Sequence, residues 1–227
     1  MSETGPAADI TGEAYRHCER LVRAHDKDRY LASLYAPAGR RPYLFALYAF
    51  AIEIGRVRIL VKEPIAGTIR LQWWLEAIAG LRAGEAAASP VLIALHDAAH
   101  QTGVALTSLT AAVEARQDEL QGKPAVGAVS AVMTMAARFL GADGDAIMFV
   151  ADNAAKAVTF VLDARTADEA RGAYVAFRAQ AVVLPERALP AFLGAALVPL
   201  LLKRPTAPQW LRQLALLRAA HFGFARL

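Results

Sequence analysis

Cysteine is nearly absent from this chain. Cys18 is the only one in 227 residues, which excludes an intrachain disulfide and suits a reducing compartment. A membrane-spanning run is missing too. Residues 188–202 form an uncharged, mostly apolar stretch of 15 residues, short of the roughly 20 that a spanning helix needs. Pro190 and Pro199 interrupt it, so a buried helix or one lying against a membrane is expected there. Acids disappear after Glu186, while Arg187, Lys203, Arg204, Arg212, Arg218 and Arg226 give that segment +6 and leave the remainder at −2. No serine or cysteine nucleophile signature, glycine-rich phosphate loop or RNA-binding motif is present. The opening MSETGPAADITGE lacks the apolar core of a secretory signal and the arginines of a transit peptide. A cytoplasmic protein is expected, peripheral on the inner face of the cytoplasmic membrane where the basic segment meets anionic lipid. The basic residues are sparse and interleaved with leucines, so no nucleic-acid partner is expected.

What is present is apolar and helical. Hydrophobic residues make up 56 % and charged residues 20 %, enough for a substantial core and too apolar for a disordered chain. With no internal repeat, low-complexity linker or break in composition, residues 1–227 are expected to form one domain, with 1–12 as a flexible tail. Pro42 sits where a first helical turn accepts proline, and apolar residues recur at Leu44, Leu47, Tyr48, Ile52 and Ile54. Pro64 and Gly67 are expected to break the chain before a helix over 69–81. Ser89-Pro90 forms a cap and first turn for a helix to about Thr102. Further helices are expected over 106–121 (capped by Thr107 or Ser108), 126–140, from Asp143 or Asp145 to about 165, and 168–180. No strand series competes, so the fold class is all-α.

Several ordered segments resemble the squalene/phytoene synthase family: HDKDRYLASLYAPAGRRPYLFALYAF (His25 to Phe50), IRLQWWLEAI (Ile69 to Ile78), VEARQDELQGKP (Val113 to Pro124) and QAVVLPERAL (Gln180 to Leu189). The resemblance implies an isoprenoid-synthase-like helical bundle around a central cavity. It also implies two acidic motifs on facing helices that clamp magnesium against a prenyl diphosphate. Such a clamp needs hard oxygen ligands, because metal ions must neutralise the leaving diphosphate.

Those acids are missing. In the family, LYAF leads into a DDxxD cluster; here the matching positions are Gly55, Arg56, Val57, Arg58 and Ile59, with only Glu53 nearby. Guanidiniums stay charged and accept no bond. Glu53 and Arg56 are spaced for an intrahelical ion pair. The second motif falls in VTFVLDARTADEA, Val158 to Ala170. There Asp163 and Asp168 are spaced so that they leave a common helix face, and Asp168 with Glu169 suits a helix start. This combination resembles a divergent branch of the family that includes an assembly factor of mitochondrial respiratory complex I.

The leading expectation is therefore a non-catalytic protein, without cofactor, that binds a protein client such as a complex I subunit near a membrane. The alternative is a magnesium-dependent prenyltransferase of the squalene/phytoene type, with Glu53, Glu114, Asp118 and Asp163 as its available ligands. Tyr48, Arg70, Gln72, Trp73, Glu114, Asp118 and Asp163 are the expected cavity or ligand contacts, with Arg56, Arg58 and Arg70 forming a basic feature at the lost metal site. Trp73 and Trp74 cannot share one helix face, so one is expected in the core and its neighbour at the edge. His96 and His100 have the spacing of a helical zinc pair but no evident third ligand, and read as surface histidines.

Overall fold

The computed structural model describes residues 6–61, 63–85, 87–162 and 166–224. The described residues contain helices and short 3-10 turns and no strand, which agrees with the all-α expectation. Helix α3, Arg41–Leu60, is the organising element. Leu44 through Ile52 are buried without interruption, and a helix that is apolar all round must be surrounded by others. Around it pack α1 (Pro6–His25), α4 (Pro64–Arg82), α5 (Pro90–Thr102), α6 (Thr107–Leu120) and α7 (Val126–Phe139). The chain continues through α8 (Asp145–Phe160) and α9 (Ala167–Gln180), each packed on its predecessor. The short α2 (Lys27–Ser33) lies between α1 and α3 in sequence and contacts both.

Boundaries follow from local chemistry. Asp26 caps α2 by accepting a hydrogen bond from the Arg29 N–H, and Ser89 caps α5 through the Leu92 N–H, each satisfying a donor the helix leaves free. Gly103, at φ 68°, ends α5 in the left-handed conformation. Helix α6 uses neither Thr107 nor Ser108 as its cap. Leu106 occupies that position, and the Ser108 hydroxyl accepts from Arg138 at 2.9 Å instead.

Three expectations are corrected. Residues 6–12, expected in a tail, belong to α1, since proline is favourable at a first helical position; residues 1–5 lie outside the described ones. Helix α4 starts at Pro64 rather than after Gly67. Proline opens this helix, and Gly67 sits inside it because α4 comes so close to α6. A Cβ there would lie 2.8 Å from Leu120 Cδ1 and 3.1 Å from Val61 Cγ2. The helix expected to run to about 165 ends at Phe160.

The apolar stretch 188–202 is buried but is not one helix. It folds as a 3-10 turn at Glu186–Ala188, α10 (Leu189–Phe192), a 3-10 turn at Leu193–Leu197 and α11 (Val198–Lys203). Pro190 and Pro199 each occupy the first turn of a new piece, where the missing N–H costs nothing. The last helix, α12 (Gln209–Phe222), rests on the Leu193–Leu197 turn and on α2. Phe177, Phe192 and Phe224 meet in a fully buried aromatic cluster that ties α9 and α10 to the end of the chain.

Candidate functional site: an arginine-lined chamber

A chamber of about 650 Å³ opens between α2, α6, the ends of α7 and α8, and the 189–203 segment. Its inner wall is apolar: Val129, Val132, Met133, Val158, Ala191, Leu197, Val198 and Leu201 line it. Its polar lining is dominated by cations, with Arg29, Arg58, Arg116, Lys123 and Arg212 set against Asp26, Asp28 and Glu119.

Each of those three acids is held by an arginine. Glu119 accepts from Arg116 at 2.5 Å and from Arg58 at 3.0 Å. Asp26 accepts from the Arg29 guanidinium at 3.3 Å and from its backbone N–H at 3.0 Å. Asp28 accepts from Arg212 and from the Gln209 amide. Gly55 lies beside this arrangement: a Cβ there would sit in ordinary contact, 3.4 Å from Arg116 Nη2. The Arg116 guanidinium thus lies against the position where the resemblance places the first acid of the motif.

Tyr48 lines the same chamber from α3, with the Arg29 guanidinium 5.4 Å above its ring. Burial pushes the Tyr48 hydroxyl up to about 12, because an apolar setting disfavours the phenolate.

The remaining sequence-derived residues are scattered. Glu53, Arg70 and Trp73 line a separate, smaller groove of about 360 Å³ with His17 and Val57. Among the described residues no ion pair joins Glu53 to Arg56; Arg58 reaches across to α6 instead. Arg56 is half-buried, and Ile59 points to solvent. Gln72 is exposed and donates to Glu76, Glu114 is exposed, and Asp118 pairs with Lys123 at 3.1 Å. Asp163 lies outside the described residues. Asp168 and Glu169 occupy the first turn of α9, with Asp168 paired to Arg171. Glu53, Glu114 and Asp118 do not converge, and no group of three His, Cys, Asp or Glu residues suited to a metal occurs among the described residues.

His96 and His100 are both exposed, while Asp97 between them accepts from the Tyr15 hydroxyl at 2.8 Å. Trp74 is buried edge-on against Phe50, and Trp73 is half-exposed, as their adjacent positions require. Sequence reasoning missed Asp26, Asp28, Arg29, Glu119 and Arg212. The signal for the first three was the dense charge in HDKDR just before an apolar helix; for Glu119 it was the i,i+3 spacing from Arg116.

A model of the squalene/phytoene synthase family matches residues 22–162, well over half of the chain. The chain belongs to the squalene/phytoene synthase family. Two solved structures share the fold. A squalene synthase from Alicyclobacillus acidocaldarius superimposes with a TM-score of 0.70 at 16 % identity, covering 94 % of this chain and 95 % of that one. A dehydrosqualene synthase crystallised with a ligand gives 0.75 at 11 % identity, covering 97 % and 100 %. The bundle around a chamber is thus an isoprenoid-synthase fold.

Curated relatives carry a different description. "NADH dehydrogenase (ubiquinone) complex I, assembly factor 6" of Homo sapiens is 32 % identical over 120 residues, 53 % of this chain and 35 % of that protein. The Bos taurus protein of the same name is 31 % identical over 108 residues, 48 % of this chain and 32 % of its own length. A Drosophila melanogaster homologue is 38 % identical over 72 residues, 31 % and 22 % respectively. The match spans about a third of the human and bovine proteins. No described helix is long and apolar enough to cross a membrane.

Proposed function

We propose that this protein is a non-catalytic member of its family that serves in the assembly of respiratory complex I, with a complex I subunit as its client. The relatives named as assembly factors support the role. The carrying observation is at the chamber: Glu119, Asp26 and Asp28 are each bridged to arginine. Magnesium takes one or two free carboxylates together with phosphate oxygens and water. A carboxylate already neutralised by a guanidinium is a poor donor, so this set does not fit the metal cluster of a squalene/phytoene-type prenyltransferase.

The proposal places the protein on the cytoplasmic face of an anionic membrane. Helix α12 supports attachment: Trp210, Leu214 and Leu217 are exposed on it, near exposed Lys203, Arg204 and Arg218. Apolar side chains beside cations suit an interfacial helix.

Deleting the gene should lower the amount of assembled complex I on a native gel; normal levels would remove that client. Purified protein given farnesyl or geranylgeranyl diphosphate with magnesium should release no diphosphate. The apolar chamber of about 650 Å³ favours a second reading, a magnesium-dependent prenyltransferase, and steady diphosphate release would establish it over the first.

A further inference from the structure

The groove beside α4, on the far side of α3 from the chamber, holds charges that the protein leaves unanswered. Glu53 is half-buried there and has no hydrogen bond or ion pair among the described residues. Arg70 lines the same groove and is likewise without an ion pair among them, so two opposite charges border one cavity without meeting. A carboxylate taken partly out of water with no cation beside it is costly. The arrangement is completed by a partner that brings the missing cation.

The walls and the rim say what kind of partner. Trp73 and Trp74 meet nearly edge to face in the groove, with ring centres 5.1 Å apart, and a cation near a tryptophan face is stabilised. Trp73 also ends an apolar stripe. Ile65, Ile69 and Trp73 recur every four residues along α4, which places them on one helix face. Leu60 stands at the edge of the groove from the end of α3. Ile65 is 74 % exposed, Ile69 65 % and Ile59, beside Leu60, 82 %. Large apolar side chains this exposed and this close together mark an interaction surface. Exposed Glu63 and Glu76 border the stripe on α4, which sets it against an anionic membrane. Helix α12, in a segment without any acid, is the face suited to lipid. A polypeptide supplies a cation for Glu53, a carboxylate for Arg70 and apolar side chains for the stripe, as an amphipathic helix does when it lies in an apolar groove.

We infer that the α4 surface docks a basic amphipathic helix of a partner protein. Its apolar face covers Ile65, Ile69 and Trp73, and one lysine or arginine enters the groove to pair with Glu53 against Trp73. The inference rests on the client reading above, for which it supplies the docking surface.

The test is photo-crosslinking in cells that make the full chain with p-benzoylphenylalanine in place of Ile69. That side chain is exposed, so the thermal melt should not move. Illumination should give an adduct with another polypeptide, and mass spectrometry should place the crosslink in an apolar segment that contains a lysine or arginine. Adding Glu53→Gln should lower the adduct yield ~10-fold, the loss of a charge-assisted bond. If Glu53→Gln does not fold, Ile65→Asp takes its place, because that residue is exposed and an acid there repels an apolar face. Lipid adducts alone, a crosslink only to a second copy of this chain, a crosslinked segment without a basic residue, or full yield in these variants would each overturn the inference. The two readings fail separately. Lowered complex I on gene deletion with no polypeptide adduct removes the docking surface and keeps the assembly role. A Glu53-dependent adduct with a protein outside complex I, with complex I levels normal on deletion, removes that client and keeps the surface.

Discussion

Replacing Glu119 by glutamine tests how the chamber holds its charge. Glu119 joins two arginines, and their contributions differ. The Arg58 side chain is 62 % exposed, and an exposed pair contributes at most about 1 kcal/mol. Arg116 and Glu119 are only 17 % and 12 % exposed, so removing the carboxylate leaves a cation in a poorly solvated place. Breaking a fully buried pair from one side costs about 3–5 kcal/mol. Here the residual exposure and the surviving amide lower that to about 2 kcal/mol, or roughly 4–8 °C in melting temperature for a chain of this size. Adding Arg116→Gln should recover part of the loss, because it removes the stranded charge. Guanidinium-chloride melts of the wild type, both single variants and the double variant measure the cycle. A Glu119→Gln protein within about 0.5 kcal/mol of wild type, or a cycle that is strictly additive, would refute the view that this carboxylate holds Arg116 in place.

Two further outcomes follow from burial. Cys18 is fully buried and its thiol is pushed up to about 12, as is the Tyr48 hydroxyl. Both folded values lie above the unfolded ones, so the unfolded chain releases protons that the folded chain keeps. Stability is whole below about pH 8.5 and falls as pH rises towards 12, by at most about 1.4 kcal/mol per pH unit for each group. Urea melts between pH 8 and 11 check the slope, and a flat profile would contradict it; native Cys18 should also resist Ellman's reagent until the protein unfolds. At the other surface, Trp210→Ser combined with Leu214→Ser should lower co-sedimentation with vesicles rich in phosphatidylglycerol by ~10-fold, whereas unchanged binding would detach α12 from the membrane.

The helices were legible because their signals are local. Ser89-Pro90 and the periodic apolar residues of 41–60 mark elements whose boundaries need no distant partner. Gly67 was misread because its reason is distant: only the approach of Leu120 explains a glycine inside α4. For the proline-broken stretch, burial was one of two expected settings, and its division into short pieces depends on what it packs against. At the chamber, the arginines at the positions that the resemblance assigns to the first motif were visible, yet their geometry was not. Arg58 turned to Glu119, and Glu53 fell on the opposite side of α3. Acids counted by position along one chain do not reveal which cation will neutralise them. Asp26 meets Arg29 three residues on through the local cap of α2, whereas only the packing of α2 and α12 against the 193–197 turn brings Asp28 beside Arg212.

The floor of the chamber is assembled from three brief pieces, α10, the 193–197 turn and α11, while α3 and the helices around it carry the long packing seams. That floor and the scaffold are therefore built from different stretches of chain, while α3, α6 and α7 supply the facing walls. Exchanges at Ala191, Gly194 or Leu197 alter how deep the hollow runs and leave those seams in register, so its capacity can be retuned without redesigning the molecule.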